Sequence, residues 1–343
     1  MTVRVLVVDD SAFARKIVRE SLQTSDAIEV VGTARDGIDA LEKIATLNPD
    51  VVTLDLVMPN LDGLGVLATL SPERRRRVVV VSMADGESDI GVAALASGAF
   101  DLVHKPSALA IASLQDIAEE LIAKVLLAAA QPKGATQPLA AAMGLSAQSP
   151  ISRGVSQRVV LIGTSTGGPH ALSELLRQFP ADFPAPIAIV LHIPRGYTGP
   201  LAERLNAECS LHVLEAEEGT LLRPGVAVLA RAGQHLRLVS AGGELRAHLD
   251  DEPRTSLHRP SVDVLFESAA LAVGKHTLGV VLTGMGDDGL LGSRAIHEAG
   301  GQILTEAESS CVVYGMPRVV REAGLALAEA ALPDMAAAIA RLV

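Results

Sequence analysis

Short runs of Val, Ile and Leu alternate with longer stretches whose apolar positions recur every three to four residues. In the first third of the chain the strand-like runs are Val3–Val8, Ile28–Thr33, Val51–Leu54, Val78–Ser82 and Asp101–His104. Between them the period predicts helices over Ala12–Thr24, Gly37–Leu47, Gly63–Leu70 and Ser88–Gly98, with a last one over about Leu109–Leu127. Five such alternations predict a parallel, doubly wound sheet. Sheets of that kind bind ligands at the carboxyl ends of their strands.

The pattern fails from Ala128 to Gln157, where Ala, Gln, Pro, Gly and Ser dominate; this stretch reads as a linker, with room for a short helix at Pro138–Leu145. A second α/β unit starts at Arg158. Its strand-like runs are Val159–Ile162, Ile187–Leu191, Thr277–Leu282 and Gln302–Thr305, and its helices are expected at Pro169–Gln178, Thr198–Cys209, Ser261–Val273 and Leu290–Ala299. Val226–Ala230, His235–Val239 and Leu245–Leu249 read as short antiparallel strands around glycine turns, and Pro333–Val343 as a closing helix. The expected organisation is a (βα)5 doubly wound unit over 1–127, a linker over 128–157, and a mostly parallel, doubly wound α/β unit with a small antiparallel β region over 158–343.

Composition narrows the function. Of 343 residues, 49% are hydrophobic but only 2% aromatic, with no Trp, so the cores must be aliphatic, as in sheets covered on both faces. A net charge of −11 argues against a nucleic-acid partner, which rewards clustered Lys and Arg. The one basic block, Arg74 to Arg77, reads as a solvated helix end before a strand, with a docking patch as the second reading. Cys209 and Cys311 make no disulfide framework and too few thiolates for zinc. The chain enters a strand directly and has no apolar stretch near the ~20 residues that span a bilayer. A soluble, cytoplasmic, monomeric protein without membrane insertion is the expectation.

In the first unit, Asp9 and Asp10 follow the first strand, Asp55 follows the third, Ser82 ends the fourth, and Lys105 ends the fifth before Pro106. One by one these have plain readings: Asp10-Ser11 as a helix cap, Lys105-Pro106 as a loop. Together they share one sheet edge. Three carboxylates there repel one another unless a cation joins them, and oxygen ligands of this kind suit Mg²⁺. Asp55 can then attack a phosphoryl donor, with Mg²⁺ and Lys105 offsetting charge on the phosphoryl oxygens and Ser82 bonding the new phosphate. The segments "VLVVDDS", "LDLVMPNLDG", "VVVVSM" and "LVHKP" resemble a two-component receiver domain. The resemblance implies phosphorylation of Asp55 by a histidine kinase, Mg²⁺ on Asp9 and Asp10, and the Val57 carbonyl as a further ligand. His104 stands where Thr is common in relatives.

In the second unit, Gly163-Thr164-Ser165-Thr166-Gly167 satisfies G-x-S-x-G, which sets a serine on a tight strand-to-helix turn; such glycine-rich turns also cradle nucleotide phosphates. A catalytic serine needs a base. His192 ends the next strand on the same sheet edge, while His170, in the first turn after the serine, and His258, in a loop before a helix, compete with it. The base needs an orienting acid. Asp287 or Asp288, after another strand, can serve, and either can instead cap the helix that follows. The order Ser, His, Asp differs from that of α/β-hydrolases.

"IGTSTGGP", "HIPRGYTGPLAERLN", "HRPSVDVLF", "LTGMGDDG" and "SCVVYGMPR" resemble the catalytic domain of the chemotaxis receptor methylesterases, the CheB family. The resemblance implies Ser165 as nucleophile, His192 as base, Asp288 as acid and the Met285 amide as an oxyanion donor beside the turn after Ser165. It implies hydrolysis of glutamyl methyl esters on chemoreceptor helices, deamidation of receptor glutamines, and a receiver that covers the cleft until phosphorylated. Leu191 stands where relatives often have Gln, and Arg231 and Ala232 replace a commoner Ala-Pro-Gly loop, so substrate preference is where divergence is expected. A milder variant of this reading is the same chemistry on receptors of a surface-sensing or developmental pathway. Two other classes stand beside this reading: a nucleotide-binding module, and a regulator without enzymatic work.

Overall fold

The computed structural model describes residues 2–75, 77–82, 88–105, 114–131 and 158–343. Arg76, Pro106, the start of the last helix of the first unit and the short helix expected at Pro138–Leu145 lie outside the described residues.

The first unit runs β1 (Val3–Val8), α1 (Ala12–Leu22), β2 (Ile28–Ala34), α2 (Gly37–Leu47), β3 (Val51–Leu54), α3 (Gly63–Thr69), α4 (Pro72–Arg75), β4 (Val78–Ser82), α5 (Ser88–Ala96), β5 (Asp101–His104) and α6 (Leu114–Ala130). Its strands pair in parallel in the order β2-β1-β3-β4-β5. Helices begin where short polar side chains can hold orphan amides: Ser11 receives Ala14 N–H, Asp36 receives Asp39 N–H, and Asp62 receives Gly65 N–H. Of the basic block, Arg74 and Arg75 end α4 and Arg77 lies in the turn after it; of its described residues only Arg74 is exposed, while the half-buried Arg75 and Arg77 bond the Leu70 and Gln131 carbonyls. Helix α6 continues through Ala130, so the first positions read as linker are helical.

The second unit runs β6 (Val159–Thr164), α7 (Gly168–Leu176), β7 (Ile187–Leu191), α8 (Thr198–Glu208), β8 (His212–Glu215), β9 (Leu221–Leu222), β10 (Val226–Leu229), β11 (His235–Ala241), β12 (Glu244–Asp250), α9 (Val262–Val273), β13 (Thr277–Val281), α10 (Leu290–Glu298), β14 (Gln302–Glu306), α11 (Met316–Glu322), β15 (Ala328–Ala330) and α12 (Leu332–Ala340). Seven parallel strands order as β15-β14-β13-β6-β7-β10-β8, and β11-β12-β9 form a separate antiparallel sheet. The expectation for Val226–Ala230 is corrected: β10 lies in the main parallel sheet, between β7 and β8. All four of its residues are buried, as a strand covered on both faces requires; the flanking Gly225 and Gly233 mimicked the punctuation of a hairpin. Strands β9 and β15, of two and three residues, are too short to announce themselves in a hydrophobic pattern, and β8 has one buried residue in four.

Strands β6, β7 and β13 are buried along their whole length. The chain leaves β6 for β7 on one side and later returns to β13 on the other, which opens a crevice at the carboxyl end of β6. The two units touch. Helix α5 packs on α7 and α8, the Arg204 Nη1 donates to the Val92 carbonyl at 3.4 Å, and the Gln131 side chain donates to the Val312 carbonyl at 3.4 Å. Tyr197 is fully buried, and its ring lies over Gly91 of α5 so closely that a methyl group there would overlap it. No described helix is long and apolar enough to cross a membrane.

Phe266 of α9 is fully buried between β13 and α10, where Gly279 and Gly292 leave room for it. Phe266→Ala is expected to cost about 3–5 kcal/mol, since it leaves a cavity that two helices cannot close. The denaturant midpoint of the full chain reads this directly.

Candidate active site and acidic pocket

Ser165 and His192 are the first residues beyond β6 and β7. The pairing Thr164↔Leu191 therefore sets them side by side at the carboxyl edge. The turn is tied to its neighbours: His192 N–H donates to the Thr164 carbonyl at 3.1 Å, and Ser165 N–H to the Thr283 carbonyl at 3.1 Å. The Thr283 hydroxyl donates to the Thr166 carbonyl at 3.0 Å, while its amide donates to buried Glu306 at 2.8 Å. Two glycines are needed for space. A Cβ on Gly284 would stand 2.9 Å from the Ser165 Cβ, and Gly167 turns the chain at φ 82° into α7.

The turn after β13 brings in Asp288, whose Oδ2 lies 2.8 Å from the His192 Nε2. The same oxygen accepts Val262 N–H at 2.8 Å. Oδ1 accepts the Ser261 hydroxyl and the Asp263 N–H, each at 2.9 Å. Burial opposes the charge of Asp288, but His192 and the first amides of α9 outweigh it and hold the carboxyl well below the usual carboxylate range. Asp288 is thus ionised and fixed, and it orients the ring through Nε2. The His192 Nδ1 is buried without a partner, and among the described residues the Ser165 hydroxyl makes no hydrogen bond either. The structure brings the serine and the histidine together on adjoining strand ends and bonds the histidine to the acid.

The expected competitors separate cleanly. His170 is exposed on α7 and faces Glu174 at 3.8 Å. His258 stacks on His192, with ring centroids 3.9 Å apart and planes 17° apart. Burial, then the neighbouring His192, push its pKa down to about 4, so His258 is a neutral plate against the second imidazole. The expectation that Asp287 or Asp288 caps the helix after them is corrected. Asp287 is exposed, Asp288 serves the start of α9, and the amides of Gly289 and Gly292 at the start of α10 are taken by Asp263. Sequence reasoning assigned no role to Ser261 or Asp263, although Ser-Val-Asp before an apolar run is a helix-start signal.

Free donors surround the serine. The amides of Thr166, Gly167 and Met285 make no hydrogen bond among the described residues, and Met285 is half exposed. Leu191 is fully buried and packs against Gly168, so it belongs to the core and not to the mouth of the cleft. Arg231 is bound at 3.0 Å to Glu215.

In the first unit Asp9, Asp10 and Asp55 each offer an oxygen within 4.8 Å of the others. Asp9 and Asp55 are buried and Asp10 is exposed. Lys105 Nζ lies 2.8 Å from Asp9 Oδ2 and 2.9 Å from Asp55 Oδ2. Burial works against its charge, but both carboxylates outweigh burial and raise its pKa above the ordinary lysine value. One ammonium among three carboxylates leaves negative charge in surplus, and hard oxygen donors at this spacing fit a divalent cation such as Mg²⁺. Ser82 is fully buried at the end of β4, and Val57 is exposed in the loop after Asp55.

Between the units, the Gln131 side chain donates to the Val312 carbonyl at 3.4 Å, and the Val312 side chain packs against Gly167 of the turn that follows Ser165. Within the first unit, Asp101 at the start of β5 pairs with buried Lys124 of α6 at 3.4 Å. The charges of Lys124 and Glu120 reach His258. The first unit therefore leans on the turn that carries the serine.

Residues 160–339 match the CheB methylesterase family, and residues 5–116 match the response regulator receiver domain. Among similar proteins, protein-glutamate methylesterase/protein-glutamine glutaminase 5 of Myxococcus xanthus is 57% identical over 99% of this chain and 97% of its own length. The protein-glutamate methylesterase/protein-glutamine glutaminase of Halalkalibacterium halodurans is 43% identical over 93% of this chain and 92% of its own. The crystal structure of the CheB methylesterase catalytic domain of Thermotoga maritima superposes with a TM-score of 0.53 at 38% identity, over 54% of this chain and 98% of that one.

Both oxygens of Asp288 receive donors, so an amide in its place must turn an NH₂ group against one of them. Asp288→Asn is expected to destabilise the chain by about 1–3 kcal/mol through that buried, mismatched group. Comparison of denaturant midpoints near neutral pH checks it.

Proposed function

Because the chain belongs to the CheB methylesterase family and carries a response-regulator receiver domain, we propose that it hydrolyses glutamate 5-methyl esters on chemoreceptor helices, releasing methanol, and deamidates receptor glutamines. The observation that carries this reading is the 2.8 Å bond from His192 to a fixed, ionised Asp288, beside a serine hydroxyl with no partner of its own. A nucleotide cradle at the same turn would leave that pair without a role. The proposed organisation is a receiver over 1–127, a linker over 128–157 and a catalytic domain over 158–343.

The His192 Nδ1 takes the proton of Ser165 as its oxygen attacks the ester carbonyl. Asp288 holds the Nε2–H tautomer and stabilises the imidazolium. The Thr166 and Met285 amides, free of other acceptors, receive the oxyanion; one such donor is worth about 10²–10³ in rate. The imidazolium then returns its proton to the departing methoxide. Water, deprotonated by the same ring, cleaves the acyl-serine and frees the glutamate carboxylate. With glutamine as substrate, ammonia leaves by the same path.

Asp55 is the proposed phosphorylation site, with a histidine kinase as donor. Asp9, Asp10, Asp55 and the Val57 carbonyl would hold Mg²⁺, which supplies charge neutralisation at the phosphoryl oxygens when bound. Lys105 adds a second positive charge there, and Ser82 bonds the new phosphate. Regulation follows from the seat of the first unit on α7 and on Val312, which packs against the nucleophile's turn: the receiver rests there, and phosphorylation loosens that seat. The substrate helices lie in the cytoplasm, and the protein works there as a monomer without nucleic acid.

Purified chain incubated with methyl-labelled receptor is expected to release label, and Ser165→Ala to lower that rate by about 10⁴-fold or more. Mg²⁺ with a small phosphodonor is expected to raise the rate in the parent but not in Asp55→Ala. Release that persists in Ser165→Ala overturns the assignment. Gly91→Val places a branched side chain into the Tyr197 ring and is expected to push α5 off α8. Basal methyl release should then rise several-fold without a phosphodonor, whereas a covering receiver that plays no regulatory part predicts no rise.

A further inference from the structure

The starts of α9 and α10 exchange carboxylates. Asp288, next to the first residue of the α10 turn, accepts the Val262 and Asp263 amides of α9 at 2.8 and 2.9 Å. Asp263, in the first turn of α9, accepts the Gly289 and Gly292 amides of α10 at 2.9 and 2.7 Å through a single oxygen, Oδ1. Each helix thus has its orphan N–H groups satisfied by an acid carried on the other. Neither acid can leave its place without stranding two amides.

The packing makes the exchange tight. A Cβ on Gly292 would stand 3.0 Å from the Asp263 Cα, so the two helix starts approach as backbones. Gly289, at φ 105°, faces Val262, and Val262 in turn packs over Gly163 just ahead of the nucleophile's turn. A shift of Asp263 would therefore move the Gly289 turn, and with it the residue directly before, Asp288.

We propose that Asp263 is a positioning residue for the esterase: it fixes the Gly289 turn so that Asp288 meets the His192 ring. This rests on the function proposed above. Asp263 touches no reacting atom and acts through Asp288 alone. The titratable groups that face it are Asp288 from the turn after β13, with His192 behind it, and Glu267 one turn along its own helix. Burial and the charge of Asp288 hold the Asp263 carboxyl above the usual carboxylate range, against the Gly292 and Gly289 amides.

The test compares Asp263→Asn and Asp263→Ala in the full chain. Asn keeps an oxygen for both amides and removes the charge; Ala removes both. Asp263→Ala is expected to lower kcat for methyl release by about 10²-fold with KM unchanged, the effect of a misplaced catalytic group. It should also lose the downfield NMR signal of the imidazole proton bonded to Asp288. Asp263→Asn should retain that signal and most of kcat. Asp263→Ala with the signal intact and kcat within twofold of the parent overturns the inference. If Asp263→Ala does not fold, Asp263→Glu, which displaces the acceptor by one methylene, is read in the same way: an intact signal with kcat within twofold of the parent overturns it. The NMR signal needs no turnover, so a parent without esterase activity would sink the functional assignment while the signal still decides the role of Asp263.

Discussion

A buried carboxylate at the centre of a protein is costly, several kcal/mol even after relaxation. Asp288 is held there because three donors and one imidazole converge on it from three places: the start of α9, Ser261 before it, and His192 after β7. These groups do two jobs at once. They compensate the charge, and they leave the ring one orientation, with Nε2 toward the acid and Nδ1 free of any other partner. His258 closes the remaining face of the ring by stacking. The His192 ring is therefore oriented before any ligand arrives, and such preorganisation is where much of an enzyme's electrostatic advantage resides.

The acidic pocket of the receiver follows the opposite design. There three carboxylates gather around one ammonium: Lys105 bridges Asp9 and Asp55 while Asp10 stands exposed beside them. A site left short of positive charge is ready for a divalent ion and for exchange of phosphoryl groups. A site with its charge fully matched is ready only for the proton transfer it orients. The two halves of the chain use the same residue type at the same kind of strand end, and the number of donors decides the chemistry.

Much of this was legible in the chain because parallel strands buried on both faces leave unbroken runs of Val, Ile and Leu, and because their carboxyl ends must share an edge. Ser165, His192 and Asp288 could be placed near one another on that ground, as could Asp9, Asp55 and Lys105. What escaped depends on depth and on side-chain direction. Strand β10 was misplaced since four residues between glycine turns carry too little period to tell a parallel strand from a hairpin arm. Leu191 was expected at the cleft, but a side chain at a strand end can point to either face, and this one points into the core. The carboxylate exchange was missed because each acid lies just where it would cap its own helix. Only three-dimensional contact shows that each serves the other's.

The acidic pocket and the contact between the units share their elements. β5 leads into Lys105, which bridges Asp9 and Asp55, and it begins at Asp101, which pairs with Lys124 of α6. Helix α6 in turn ends beside Gln131, which bonds Val312 of the second unit. Such proximity does not by itself transmit anything; coupling requires an element with two arrangements that both sites bias. The domain contact has the properties of such an element. It combines the Gln131 bond to the Val312 carbonyl, the Arg204 bond to the Val92 carbonyl, and an aromatic ring seated on a glycine. Loss of the receiver's seat would remove all three together, since each crosses from one unit to the other. By thermodynamic linkage the influence then runs both ways. If phosphate at Asp55 favours the uncovered form, a receptor helix occupying the uncovered cleft must favour phosphate at Asp55 to the same extent.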